Sequence, residues 1–340
     1  MLKEKFLYIA RLFSLALLIG VVGLIVVSFI KGRSKQKDIP LVPRGAARLS
    51  DKVVAITEGY RYLISENGQK QVLLTAARDT SYADGRHELE QLELIGYNSD
   101  GQESGRVKAD KGSYQQDNDM VIFRGHVIAT NPDGLEVTTE ALDYDRKAQV
   151  AKTDVAMNFK RADLSGSGVG ATLYSKDKKL ELRSEARVVI TPKDTTQAPV
   201  EIRGQRADYS QNDGVVHFVG SVTVTQGSQG GKADAMTGFY SKGTNKLERI
   251  EARGNSYLHS QENSKTSEVQ ARDIDFFFDE AQRLKQVVAI GNAHARSLEK
   301  DAPREITAER IEALYLPKAQ GSEITSAATQ GRTVLRVTPS

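Results

Sequence analysis

The sequence predicts an all-β protein that is built from repeats and preceded by one N-terminal transmembrane helix. Three observations carry this prediction: an aromatic residue recurs every 30 to 39 residues, strand-like alternation dominates the chain after the first 50 residues, and residues 12–30 carry no charge. A recurring spacing of this size is typical of stacked copies of one supersecondary unit, each sharing its core with its neighbours.

The uncharged stretch at residues 12–30 is the predicted transmembrane helix. At ~1.5 Å per residue, a helix of this length spans about 28 Å, close to the ~30 Å hydrocarbon core of a bilayer. Basic residues flank it, and no small-x-small cleavage site follows. We therefore expect an uncleaved anchor, with residues 1–31 forming a cytoplasmic stub and the helix, and residues 32–49 forming a linker. Positions that represent the helix are Leu12, Leu18, Val22, Val26 and Ile30.

The charges indicate where the body of the protein lies and what it does not bind. The flanking charges are nearly balanced, so the exported orientation is expected because long C-terminal domains translocate largely regardless of charge. Residues 1–37 contain seven basic residues and one acidic residue, so the overall charge of +3 leaves the remainder at −3. A mildly acidic body argues against nucleic-acid binding. Because there is no cysteine, disulfides, zinc–thiolate sites and thiol nucleophiles are excluded.

Each repeat of the body is predicted to contain two strands joined by a tight turn. Turn signals such as 98–101, 131–134 and 211–214 separate segments in which polar and apolar residues alternate. Glycines that follow hydrophobic strands, at Gly125, Gly220 and Gly291, are predicted to form bulges. The aromatic marks, predicted to pack at strand ends, are Tyr82, Tyr114, Tyr144, Tyr174, Tyr209, Tyr240, Phe276 and Tyr315.

A proline- and threonine-containing segment, residues 191–199, is the best candidate for an internal boundary. It divides the body into residues 50–190 and 200–340, each long enough for a domain of ordinary size.

The residues now support a family resemblance. The segment from Val107 to Lys111, followed by the hydrophobic strand from Met120 to Val127, resembles the central strands of the β-jellyroll in the LptC family. Members of this family are the inner-membrane component of bacterial lipopolysaccharide export. The second half, with Ala207-Asp208-Tyr209, resembles the related LptA/OstA domain. The resemblance implies a twisted, open two-sheet β-jellyroll, with an LptC-like jellyroll at 50–190 and an LptA/OstA-like continuation at 200–340.

The resemblance also implies a mechanism and partners. The transmembrane helix would pack against an LptB/LptF/LptG-type ABC transporter in the inner membrane, and the body would lie in the periplasm. The jellyroll would receive the acyl chains of lipopolysaccharide and pass them to an LptA-type bridge that joins a terminal sheet edge by strand addition. Such a carrier needs no catalytic residue, cofactor or metal.

Inward-facing apolar positions of the predicted strands are the candidates for a lipid groove. Taken singly, each is more typical of a closed core, and only the continuous stripe indicates a groove. They are Val107, Ala109, Tyr114, Val121, Phe123, Val127, Leu135, Val137, Val155, Met157, Phe159, Leu180, Leu182, Phe218, Val222 and Val224.

Two rival functions stay open. A membrane-tethered β-solenoid scaffold would have a dry, filled interior. A glycan-cleaving enzyme would use carboxylate pairs such as Asp143/Asp145 or Asp273/Asp275, but these fall at predicted turns. The five histidines lack metal-ligand spacing, and residues 227–233 lack the Ser/Thr and glycine spacing of a phosphate loop and are predicted to form an exposed loop.

Overall fold

A computed structural model describes residues 52–337, except for positions 67, 99, 116–119, 133, 146, 149, 175, 193–197, 242–245, 263–264, 282, 300–301 and 318–321. The described residues form strands joined by turns, and the all-β prediction is confirmed. No helix among them has the length and hydrophobicity needed to cross a membrane. The predicted transmembrane segment, including Leu12, Leu18, Val22, Val26 and Ile30, lies outside the described residues.

The described residues form 19 strands. Their bounds are β1 Val53–Glu66, β2 Gln69–Tyr82, β3 Arg86–Tyr97, β4 Glu103–Gln115, β5 Met120–Thr130, β6 Glu136–Asp145, β7 Val150–Arg161, β8 Leu164–Tyr174, β9 Lys179–Ile190, β10 Val200–Gly204, β11 Arg206–Ser210, β12 Val215–Gln226, β13 Gln229–Tyr240, β14 Leu247–Glu262, β15 Lys265–Phe278, β16 Leu284–Glu299, β17 Ala302–Pro317, β18 Ser322–Gln330 and β19 Val334–Val337.

The described chain divides into two compact units. The first unit contains residues 52–162 and Gly168–Leu180, and the second contains Asp163–Ser167 and residues 181–337. In the first unit, successive strands from β1 to β7 pair antiparallel. In the second, β9, β10 and β12 pair in turn, β11 also pairs with β12, and the meander then continues to β17, which pairs with both β18 and β19. The division at residues 191–199 stays a prediction.

The turns that separate the strands form where the sequence predicts them. The amide of the fourth residue donates to the carbonyl of the first in three of these turns, at Gly101 to Asn98 (3.0 Å), Gly134 to Asn131 (3.1 Å) and Gly214 to Gln211 (3.3 Å). The aromatic marks lie at or near the C-terminal ends of strands, from Tyr82 in β2 to Tyr315 in β17. Every second strand carries one, except between β8 and β11, where the two strands β9 and β10 intervene. The prediction of two strands per repeat is therefore confirmed.

The predicted bulges are confirmed as well. Gly125, Gly220 and Gly291 have positive φ, each lies within a register shift, and a fourth glycine, Gly254, behaves the same way. The residue after each glycine also has positive φ, between 44° and 51°. Two consecutive left-handed residues bend the strand, and glycine is favoured at the first because it has no Cβ.

The predicted exposed loop at residues 227–233 is wrong. β12 ends at Gln226 and β13 begins at Gln229, so only Gly227 and Ser228 form the turn. A Cβ at Gly230 would lie 2.6 Å from the His259 ring, and one at Gly231 would lie 2.8 Å from the Leu258 side chain. These two glycines therefore leave room for the His259 and Leu258 side chains, which pack against β13. From the sequence alone, glycines with this role look the same as glycines of a flexible loop.

Candidate functional site: the apolar interior

The interior of the first unit is formed by side chains that face each other along ladders of paired strands. Directly opposed residues of antiparallel strands lie on the same face of a sheet. One ladder runs across β2 to β7 and is apolar at every step: Leu74, Leu94, Val107, Ala129, Val137 and Phe159. The register thus brings three of the predicted groove residues, Val107, Val137 and Phe159, into one row.

Further ladders of the first unit collect other predicted residues. Val127 lies opposite Thr139, which lies opposite Met157. Phe123 lies opposite Gly112 and Leu142. Of the predicted groove residues in this unit, those that are buried are Val107, Ala109, Phe123, Val127, Leu135, Met157, Phe159 and Leu180, and those that are half-buried are Tyr114, Val121 and Val137.

Val155 does not face the interior, and its predicted inward orientation is wrong. Its side chain is 39% exposed, as Asp154 and Ala156 on either side are also exposed. Between Lys152 and Met157 the pairing with β6 shifts register, because β7 contains one residue more than its partner. Thr139 holds this bulge by donating a hydrogen bond to the carbonyl of Ala156 (2.9 Å). A bulge interrupts the alternation on which the prediction depends.

The second unit has its own apolar interior, which the candidate residues reach only in part. Leu182, Phe218 and Val222 are buried, and Val224 is half-buried. One ladder crosses β11 to β17 and is again apolar at every step: Ala207, Phe218, Met236, Ala252, Ile274, Ala289 and Ile311. A second contains Val224, Gly231, Leu258, Val269, Ala295 and Ile306.

Sequence reasoning missed the interior residues after Val224 and those before Val107. The core cluster of the second unit consists largely of alanine, with Ile274 fully buried. Its members are Ala233, Ala252, Ala271, Ile274, Val287, Ala289, Ala293, Ala308 and Ile311. Small residues give a weak hydrophobic signal, although their recurrence at the repeat spacing could have revealed them. In the first unit, the alternating apolar residues Val72, Leu74 and Ala76 of β2, and Leu92 and Leu94 of β3, carried a stronger signal.

A small cavity lies within the interior of the first unit. Its volume is about 20 Å³, enough for about one water molecule, and an apolar cavity of this kind stays dry. The lining residues are Leu74, Leu89, Leu92, Leu94, Gly112, Ser113, Tyr114, Val121 and Phe123. A Cβ at Gly112 would lie 2.8 Å from Leu92. The Leu92 side chain therefore occupies space that a larger residue at position 112 would fill.

A polar cluster borders this cavity at Tyr114. The His87 ring stacks on the Tyr114 ring, with centroids 4.7 Å apart and planes 2° apart. His87 Nδ1 lies 3.1 Å from the carboxylate of Asp79, which is only 2% exposed, and Ser81 donates to the same carboxylate at 2.9 Å. The hydroxyls of Tyr60 and Tyr114 are 3.5 Å apart. Burial raises the pKa of both tyrosines, so each keeps its proton at neutral pH.

Three of the four carboxylates considered for catalysis, Asp143, Asp273 and Asp275, are engaged in ion pairs. Asp143 lies 2.5 Å from Arg124, and Asp275 lies 2.5 Å from Arg253. Burial alone would raise the pKa of Asp273. Hydrogen bonds from Arg272 and the Gly254 amide together have a larger, opposite effect, so the pKa of Asp273 lies below its ordinary value. A carboxylate held ionised in this way is a poor general acid. Among the described residues, no group of three or more His, Asp or Glu could hold a metal ion.

These features define a class: an all-β protein of stacked antiparallel hairpins whose two units each enclose an apolar interior. Residues 15–191 match the family described as lipopolysaccharide-assembly, LptC-related. Residues 201–315 match the LptA/(LptD N-terminal domain) LPS transport protein family. The first match covers more than half of the 340 residues.

The chain therefore belongs to the lipopolysaccharide-assembly, LptC-related family, and carries a second, LptA-like half. The resemblance predicted from the sequence is confirmed, and the two matches together indicate lipopolysaccharide transport.

Among solved structures, nineteen chains match. One is the crystal structure of LptH, the LptA homologous periplasmic component of the conserved lipopolysaccharide transport device from Pseudomonas aeruginosa. It is 20% identical, covers 42% of this chain and 96% of that chain, and has a TM-score of 0.31. The comparison with curated proteins found no match.

Proposed function

We propose that this protein is an inner-membrane, single-pass component of lipopolysaccharide export whose periplasmic body carries the acyl chains in its apolar interior. The family match supports the transport role, and the uncharged stretch at residues 12–30 supports the anchor. The lipid would come from an LptB/LptF/LptG-type ABC transporter that contacts the anchor. ATP hydrolysis by that partner would supply the energy, so the chain acts as a binding and transport module and not as an enzyme.

The observation that carries this proposal is the row of apolar side chains along the strand ladders of each unit. An acyl chain that crosses water exposes every methylene group, at about 0.8 kcal/mol each. Each unit contains a row of apolar side chains that crosses successive strands. The row runs from Leu74 to Phe159 in the first unit and from Phe218 to Ile311 in the second. An acyl chain that lies along such a row contacts apolar side chains and not water. Each unit is thereby suited to shield a chain along its length.

The first and last described strands support contact with an LptA-type bridge. β1 pairs with β2, and β19 pairs with the first half of β17. Both strands present exposed apolar side chains, among them Val54 and Leu335, each 66% exposed. Strands of this kind accept an added strand through their free backbone groups, and apolar side chains strengthen the pairing.

One observation favours the scaffold alternative. The cavity lined by Leu92 and Phe123 holds only about 20 Å³, as expected of a filled core. The side chains around it would have to move for an acyl chain to occupy it. The tests of the two functions therefore need to detect lipid directly and not rely on a preformed space.

In-cell photo-crosslinking tests the proposal. A photoreactive residue would replace Phe123, Phe159 or Phe218 in turn, each of which is buried in its unit. The carrier predicts lipopolysaccharide adducts at all three positions. Adducts confined to Phe123 and Phe159 would restrict carriage to the first unit. The absence of adducts at every position, in a folded and exported protein, would contradict the carrier and favour the scaffold. Exposed Val155 is the matched control and should give none.

A further inference from the structure

The polar cluster beside the leucine-lined cavity is not explained by an interior that only shields methylene groups. Buried polar groups cost free energy unless they are hydrogen-bonded, so apolar side chains would serve that purpose better. The rows of paired residues in the first unit differ in polarity, although they lie on the same strands. The row of Leu74 and Phe159 is wholly apolar, whereas a parallel row contains Ser81, His87 and Tyr114.

The pair of tyrosine hydroxyls has unused hydrogen-bonding capacity. Their separation of 3.5 Å exceeds the range of about 2.5–3.0 Å that O–H···O bonds prefer. Each hydroxyl can donate one hydrogen bond and accept others. An oxygen atom placed beside both hydroxyls could therefore form two shorter bonds in place of one long one.

The tyrosines lie on strands that do not pair with each other. Tyr60 is in β1 and Tyr114 is in β4, and the strands between them are β2 and β3. On a flat sheet, three strand spacings of ~4.8 Å would already separate these positions by about 14 Å. The register offsets them further along the strands, because Arg61 shares its row with Lys108 and not with Tyr114. Contact between the two hydroxyls therefore requires the sheet to curl, which places the pair over the interior and not on its outer surface.

The remaining members of the cluster fix the orientation of Tyr114. The His87 ring is parallel to the Tyr114 ring and covers one of its faces. The buried carboxylate of Asp79 holds His87 in turn, together with the Ser81 hydroxyl. Asp79 and His87 are thus positioning residues, and the Tyr60 and Tyr114 hydroxyls are the groups left to meet a ligand.

We propose that Tyr60 and Tyr114 form a polar subsite that binds an oxygen function, a hydroxyl or an ester carbonyl, carried near the head of an acyl chain whose tail lies along the adjoining apolar interior. This inference rests on the proposed function. Tyr114 lines the cavity with Leu89 and Phe123, so one residue contacts both parts of the ligand. The subsite would place each acyl chain at a fixed depth, because the oxygen function occurs at only one point along it.

Competition with crosslinked lipopolysaccharide tests the subsite. A photoreactive residue at Phe159, which does not line the cavity, reports lipopolysaccharide in the first unit of the full-length protein. Three competitors of similar length are compared: hexadecane, methyl tetradecanoate and methyl 3-hydroxytetradecanoate. A preference for an oxygenated chain of about 2- to 12-fold is expected, as one hydrogen bond contributes. A preference for the ester over the alkane assigns the carbonyl, and a further preference for the hydroxy ester assigns the hydroxyl.

Two variants and one control make the result specific. Tyr60→Phe and Tyr114→Phe remove only the hydroxyls and should abolish the preference while competition by hexadecane is unchanged. Tyr97→Phe removes a hydroxyl elsewhere in the same unit and should keep the preference. If both cluster variants discriminate among the competitors as the parent does, the subsite is wrong although carriage stands. If the parent protein gives no lipopolysaccharide adduct at Phe159 at all, the proposed function fails first.

Discussion

At the residue scale, strand register decides whether an apolar side chain of a strand is buried or exposed. Phe123 and Val155 both occupy inward positions of the predicted strands, but Phe123 is 2% exposed and Val155 is 39% exposed. The difference arises from the bulge in β7, which turns Val155 outward. Period-two alternation therefore predicts burial well within a continuous ladder and poorly at a register shift.

Replacing the two side chains should give very different stabilities. Phe123→Ala leaves a cavity in the interior and should lower the free energy of unfolding by about 3–5 kcal/mol. Val155→Ala should change it by less than about 0.5 kcal/mol. Chemical denaturation followed by circular dichroism measures both. Equal losses for the two variants would contradict the assigned orientations.

Gly125 provides a second test at this scale. Its φ is +75°, and an added Cβ would lie 2.7 Å from the Asp110 carboxylate. Gly125→Ala should therefore lower the free energy of unfolding by more than the ~1–2 kcal/mol of left-handed strain alone. Gly134→Ala is the matched control, since its φ is +80° and no atom lies within 4 Å. A loss no larger than that of the control would show that the contact with Asp110 does not matter.

The bulge also makes a prediction about pH. A hydrogen bond from His126 Nδ1 to Asp110 (2.6 Å) raises the pKa of His126 above its ordinary value of 6.5. Because the folded pKa is raised, the stabilisation is fully present below pH 6.5 and is lost as pH rises through the folded pKa. NMR titration of the His126 ring should show the raised midpoint, and Asp110→Asn should return it towards 6.5. An unchanged midpoint in that variant would refute the assignment.

At the element scale, the first and last strands differ in their distance along the chain from the predicted anchor. The linker at residues 32–49 leads almost directly into β1, whereas β19 lies at the other end of the described chain. An anchored protein that passes lipid onward should meet its bridge at the strand that is remote from the anchor. We therefore expect β19, with the neighbouring β18, to receive the LptA-type partner.

Lysine substitutions on these strands test the assignment. Leu335→Lys with Val337→Lys places charges on an exposed edge, a feature that disfavours strand addition. Affinity for an LptA-type partner should fall at least about tenfold, or about 1.4 kcal/mol. Val54→Lys with Ile56→Lys is the matched pair on β1 and should leave the affinity unchanged. A loss confined to the β1 pair would assign the interface to the opposite end.

At the scale of the whole molecule, the two units use different side chains to build their interiors. Leucine, valine and phenylalanine dominate the first, whereas alanine recurs in the second at Ala252, Ala271, Ala289 and Ala308. Small side chains leave volume that either closer packing of the facing strands or a bound lipid chain can fill. If lipid fills it, bulk added at these positions should compete with lipid.

Ala289→Leu tests whether added side-chain volume in the second unit competes with lipid. Ala289 lies opposite both Ile274 and Ile311, at the centre of the apolar row. The added atoms should reduce lipopolysaccharide adducts at a photoreactive residue replacing Phe276 several-fold, with a stability loss of about 1–3 kcal/mol. Exposed Ala328→Leu is the control and should change neither quantity. Undiminished adducts in the Ala289 variant would mean that this row does not contact lipid.

The sequence was sufficient for the strand repeat, the bulge glycines and the family, because each depends on residue types at fixed spacing. It was not sufficient for the orientation of Val155 or for the strand positions of Gly230 and Gly231, since these depend on what the neighbouring strand contributes. The cluster of Tyr60, His87 and Tyr114 was also beyond reach. Its members are separated by up to 54 residues. Strand register brings His87 to Tyr114, and the curl of the sheet brings Tyr60 to them.

The hairpin meander has a consequence for how lipid could enter the interior. Each strand pairs with its neighbours along the chain, so cooperativity decays over a few hairpins, as in other repeat proteins. Separating two neighbouring strands then requires only the free energy of opening one hairpin. This is less than the free energy of unfolding the whole unit. Such local breathing would admit an acyl chain from the side, with the rest of the ladder acting as a rigid frame that closes again once the chain has passed.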